Sequence, residues 1–236
     1  ILTPLTVILE ETAMAEQPIS AVRTGAAAGS VIEVNRVLRN TYLLLGMTLA
    51  FSAVTAGISL SLNLPHPGLL LTLGGWFVLL IAINKTANSA WGLFWVFAFT
   101  GFLGYTMGPI LNLYLQMPNG ADVVTMALAS TAAAFIGLSA VALITRKDFS
   151  FMTSFLTVGI LVVFAVVMLS WFMDLSAFMG AIGAAVVLLM SGLILWQTSA
   201  IIHGGETNYI LATTTLYMSI YNMFSWLLLL FGMGED

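Results

Sequence analysis

Long uncharged apolar runs alternate along this chain with short polar gaps. The runs are Thr41–Leu62, Pro67–Ile83, Ala90–Tyr114, Val123–Thr145, Phe149–Phe172, Leu175–Ile202 and Tyr209–Phe231, and none contains Asp, Glu, Lys, Arg or His. A bilayer core is crossed by about 20 apolar residues of helix. A soluble core helix rarely stays uncharged for that length, because its outer face must meet water. The pattern therefore predicts an all-α integral membrane protein built as a bundle of seven transmembrane helices.

The gaps between runs are short. Asn63–His66 contains Pro65, Asn84–Ser89 is a polar turn, and Gln116–Ala121 contains Pro118-Asn119-Gly120, a turn signal. Short connections force each helix to lie antiparallel beside its neighbour, so residues 34–236 are expected to form one membrane domain. Ahead of it, residues 1–33 are expected to be a flexible cytoplasmic tail, rich in Ala, Gly and Ser over Ala15–Ser30. Within it Ile1–Ala13 reads as sequence upstream of a start at Met14. A second reading of the same region places an interfacial amphipathic helix over Val31–Asn40, with Arg36 and Arg39 on its wet side.

Composition changes the picture only by closing off chemistry. The chain is 236 residues long, 60% hydrophobic and 7% charged, with a mean hydropathy of +1.06. Soluble domains carry about 25% charged residues. There is no Cys, which removes thiol catalysis and thiolate metal sites. A net charge of −4 with no basic stripe leaves nucleic acid without an electrostatic footprint. The few cations orient the bundle. Arg36 and Arg39 precede the first span, Lys85 lies in the second connection, and Arg146 and Lys147 lie in the fourth. The first, third and fifth connections have no cation. By the positive-inside rule the N-terminus is cytoplasmic and the C-terminus periplasmic. The sixth connection, His203–Thr207, also lacks a cation, so a re-entrant last helix is the alternative.

Four groups of residues are candidates for chemistry. His203-Gly204-Gly205-Glu206 could offer a His and a Glu to a metal, but two glycines favour a tight cytoplasmic hairpin, and His66 lies at the other membrane face. Gly137-Leu138-Ser139 resembles a nucleophile motif of intramembrane proteases, yet no His lies within a span to act as base. Gly104 and Gly108 form a GxxxG pair with Gly101 one turn earlier, suited to close helix packing within the chain or to dimerisation, and Pro109 should kink that helix. Gln197, Thr198 and Ser199 crowd the end of the sixth helix, while Thr215, Ser219 and Asn222 share one face of the seventh. These polar faces should meet inside the bundle, either as interhelical hydrogen bonds or as the lining of a polar cavity. The spans contain no acid, which argues against a proton-coupled transporter.

Several of these stretches, taken in order, resemble the Bax inhibitor-1 (transmembrane Bax inhibitor motif) family. The run from Phe97 to Ile110, with Gly101, Gly104, Gly108 and Pro109, and the run from Ala127 to Phe135, with Thr131 and Phe135, look like its signature. Val37–Tyr42, Lys85–Asn88, Thr145–Asp148 and Ile202–Ile210 are similar to bacterial members that modulate the membrane-bound AAA+ protease FtsH. The resemblance covers Val34 to the C-terminus. It implies a seven-helix fold with the last helix central and surrounded by the other six. It also implies a bacterial inner-membrane location, FtsH as partner, no catalysis and no cofactor. Other members of the family are pH-regulated calcium leaks with a hydrogen-bonded Asp pair on the last two helices. Those positions align with Gln197 and Ser219 here, and neither can ionise.

Overall fold

In lipid a chain must satisfy its own backbone, and a helix does so within one segment. A computed structural model describes residues 19–170 and 172–234, with backbone alone for residues 19–31. Its seven long helices are α1 (Ile19–Ser61), α2 (Leu69–Thr86), α3 (Ala90–Leu115), α4 (Gly120–Thr145), α5 (Thr153–Leu169), α6 (Met179–Ile202) and α7 (Tyr209–Met233). All seven are long and apolar enough to cross a membrane.

The first run and the amphipathic stretch before it are one helix. No Pro interrupts residues 19–61, and the apolar window reaches back to Ile32. Thirty residues of helix span about 45 Å, against about 30 Å of hydrocarbon, so the end carrying Arg36 and Arg39 projects into the interface. Of the expected tail, residues 1–18 lie outside the described residues, and residues 19–33 continue α1 as helix. α5 and α6 are shorter than their apolar runs because each is preceded by a turn of 3₁₀ helix, Ser150–Met152 and Ser176–Phe178. Asp148 and Asp174 start these turns by accepting the amide N–H two residues on, at 2.8 and 2.9 Å. These hydrogen bonds hold both carboxyl groups below the usual carboxylate range.

α7 runs through the middle of the bundle. Not one residue from Tyr209 to Gly232 is exposed. It packs against α1, α2, α3, α4 and α6, which is five helices and not the expected six. α5 stays outside, against α6. There Gly159 and Gly192 admit Leu189 and Leu156, and Trp196 Nε1 donates to Thr153 Oγ1 at 2.8 Å. α5 has one buried residue, Leu156, and little else to hold a partner, since lipid solvates its aliphatic surface as well as protein would.

Candidate functional site

The family-signature glycines form the tightest seam of the bundle, between α3 and α1. A Cβ on Gly101 would come within 2.6 Å of the Phe51 ring, and one on Gly108 within 2.5 Å of Ser59 Cβ. One on Gly104 would overlap Thr55 Oγ1 and the carbonyl of Ser52. These glycines are used within the chain. Pro109 follows directly and has no N–H, so the carbonyl of Tyr105 loses its helical partner. Ser59 of α1 replaces it, donating from Oγ to that carbonyl at 2.9 Å.

α7 is tied into the same seam by two tyrosines. Tyr217 OH lies 2.6 Å from Ser52 Oγ and donates to the Thr100 carbonyl at 3.3 Å. Tyr221 OH lies 3.2 Å from Thr106 Oγ1, and the two rings stack with centroids 6.2 Å apart. Pattern reading did not single out these tyrosines. A phenol at each of two positions one turn apart in an otherwise apolar span was the available signal, since a buried O–H needs a partner.

Gln197 and Ser219 are both buried, at 2% and 1% exposure, on the adjacent helices α6 and α7. They do not hydrogen-bond to each other. Ser219 Oγ donates to the Thr215 carbonyl at 2.9 Å, and Asn222 Nδ2 to the Met218 carbonyl at 2.8 Å, each within its own helix. Gln197 Nε2 is buried with no hydrogen-bond partner, as are Ser139 Oγ and Thr41 Oγ1. The neighbours of Gln197 do bridge. Thr198 Oγ1 lies 3.2 Å from Tyr42 OH of α1. Ser199 Oγ accepts from Phe149 N–H at 3.0 Å and donates to the Lys147 carbonyl at 3.1 Å, fastening α6 to the α4–α5 connection. On α4, Thr131 donates to its own helix at the Ala127 carbonyl (2.7 Å), and Phe135 packs on Tyr42 with centroids 6.0 Å apart.

The α6–α7 hairpin turns on Gly204, whose φ of 73° suits glycine. His203 and Glu206 are used locally. His203 Nδ1 lies 2.9 Å from the Ser199 carbonyl, and Glu206 Oε1 accepts from Asn208 N–H at 2.8 Å. No group of three or more side chains able to hold a metal is found among the described residues. Asn208 is the bridging residue of this connection that pattern reading missed. Its Oδ1 caps α7 by accepting from Ile210 N–H (2.9 Å) and Leu211 N–H (3.2 Å). Its Nδ2 donates to the Ala87 carbonyl (3.0 Å) and Asn88 Oδ1 (2.8 Å). An Asn just before a long apolar run was the signal. Asn208 thereby borders a cavity of about 530 Å³ at this face, shared with Arg36, Asn40, Asn88 and Ser89.

The family model described as "Inhibitor of apoptosis-promoting Bax1" matches residues 34–236. An uncharacterised protein of Pseudomonas aeruginosa is 53% identical over 206 residues, covering 86% of this chain and 93% of its own length. A protein of Escherichia coli K12 named "Modulator of FtsH protease YccA" is also 53% identical over 206 residues, covering 87% of this chain and 94% of its own. An uncharacterised membrane protein of Vibrio cholerae is 41% identical over 206 residues, covering 87% and 92%.

Proposed function

The chain belongs to the family of inhibitors of apoptosis-promoting Bax1, and from that premise we propose that it binds and modulates the membrane-bound AAA+ protease FtsH without catalysis of its own. The observation that carries this reading is 53% identity, over nearly the whole membrane bundle, to a relative named as a modulator of that protease. A second strain's copy of that relative is named an inner membrane protein, and we assign this chain to the bacterial inner membrane with its N-terminus in the cytoplasm. The bundle resists extraction while the N-terminal segment occupies the motor. The close α1–α3 seam and the enclosure of α7 supply the resistance, because force applied to α1 meets both at once. A pH-regulated calcium leak is the other family activity. It is disfavoured here because Gln197 and Ser219 carry no titrating group.

The test is co-purification with FtsH from native membranes, followed by half-life measurements in cells with and without active protease. We expect the two proteins to purify together. Deleting residues 15–30 should retain binding and lengthen the half-life only where FtsH is active. Failure to co-purify would remove the proposal. Equal half-lives would leave FtsH binding but remove the N-terminal segment from the mechanism.

A further inference from the structure

We propose that the cleft between α1 and α4 binds one phospholipid acyl chain, drawn from the leaflet at the Ser61 end of α1. Among the described residues no Cα of α1 lies within 8 Å of one of α4, and α7 forms the floor between them. The cleft has a volume of about 560 Å³. Small residues open it: Ala53, Ala56 and Gly57 on α1 face Ala132 on α4. A Cβ added to Gly57 would meet nothing within 4 Å.

The shape of the cleft decides its occupant. Its α1 wall runs from Leu49 to Leu60, which is about 16 Å of helix. One leaflet of hydrocarbon is about 15 Å deep, half of the bilayer core. Toward the Arg36 end the cleft closes where Tyr42 of α1 meets Phe135 of α4, with ring centroids 6.0 Å apart. The cleft therefore begins at one headgroup layer and stops near the midplane. A transmembrane helix of a partner would need the full depth. The floor is also closed to polar ligands. The hydroxyls of Tyr217 and Tyr221 are engaged with Ser52 and Thr106, so neither is free to a ligand in the cleft.

The test uses the full chain, stripped of lipid in detergent and then incubated with dioleoyl phosphatidylethanolamine. Native mass spectrometry counts retained lipids. We expect a saturating species with one lipid, weakened about tenfold by Gly57→Trp and by Ala132→Trp, a change readily resolved in a dissociation constant. Leu161→Trp, on the exposed face of α5, should leave it unchanged. The unaltered chain is also placed in vesicles with a phospholipid bearing a diazirine midway along one acyl chain. Adducts should concentrate on residues 49–60 and 124–136 over α5. This second arm stands even if both Trp variants fail to fold. Equal retention in folded Trp variants, labelling spread evenly over the outer helices, or a protein chain cross-linked in the cleft would each overturn the proposal.

Discussion

The bond between Ser59 and the Tyr105 carbonyl makes the α1–α3 seam directly testable. Pro109 leaves that carbonyl unpaired within α3, and Ser59 Oγ fills the gap at 2.9 Å. Ser59→Ala keeps the Cβ that packs against Gly108 and removes only the hydroxyl. Interhelical hydrogen bonds in membranes average about 0.6 kcal/mol, with a maximum near 1.7. A buried carbonyl left with no partner costs about 1–3 kcal/mol. Ser59 is buried and the carbonyl has no second donor from its own helix, so we expect Ser59→Ala to cost about 1–2 kcal/mol. The decisive comparison adds Pro109→Ala, which restores an N–H at residue 109 for the same carbonyl. In that background Ser59→Ala should cost about 0.5 kcal/mol or less. Reversible unfolding in mixed micelles, read by circular dichroism across the four proteins, gives the cycle. An equal cost of Ser59→Ala with and without Pro109 would show that the hydroxyl does not serve the proline gap.

Gln197→Leu should change stability by no more than about 1 kcal/mol in either direction, because the amide it removes has an unsatisfied buried donor; a loss above about 2 kcal/mol in the same unfolding assay would reveal a bonded partner. Asn208→Ala removes the α7 cap and both bonds to the α2–α3 connection, so it should cost about 2 kcal/mol, whereas Glu206→Gln, which keeps an acceptor, should be nearly neutral. With no native Cys, Asn63→Cys and Asp174→Cys should react with an impermeant thiol reagent added from the periplasm while Asn88→Cys stays protected; the reverse pattern would invert the topology drawn from the cations.

The number, length and order of the helices were legible in the sequence. Each apolar run must hydrogen-bond its own backbone in lipid, so helix formation there is a local matter. The polar gaps then set the ends of α2 to α7 to within a few residues, whereas α1 begins at Ile19, well before the run at Thr41, and the signature glycines marked a close approach of helices. What those glycines approach was not legible. Lipid is as apolar as Leu, so hydropathy does not say whether a residue faces a tail or another helix. Only the packed bundle pairs Gly104 with Ser52 and Thr55, and only there does Ser59 find the carbonyl that Pro109 abandons. The same reason accounts for the expectations that needed correction. α5 and α7 have comparably apolar runs, yet α7 is enclosed and α5 touches α6 alone, because small residues and hydroxyls on α1, α3 and α4 fit α7. Gln197 and Ser219 could be placed on neighbouring helices from sequence, but the hydrogen bond each makes or lacks depends on side-chain direction. Ser219 turns to its own backbone and Gln197 Nε2 to no acceptor, because a hydroxyl reaches the carbonyl one turn back and a longer amide does not.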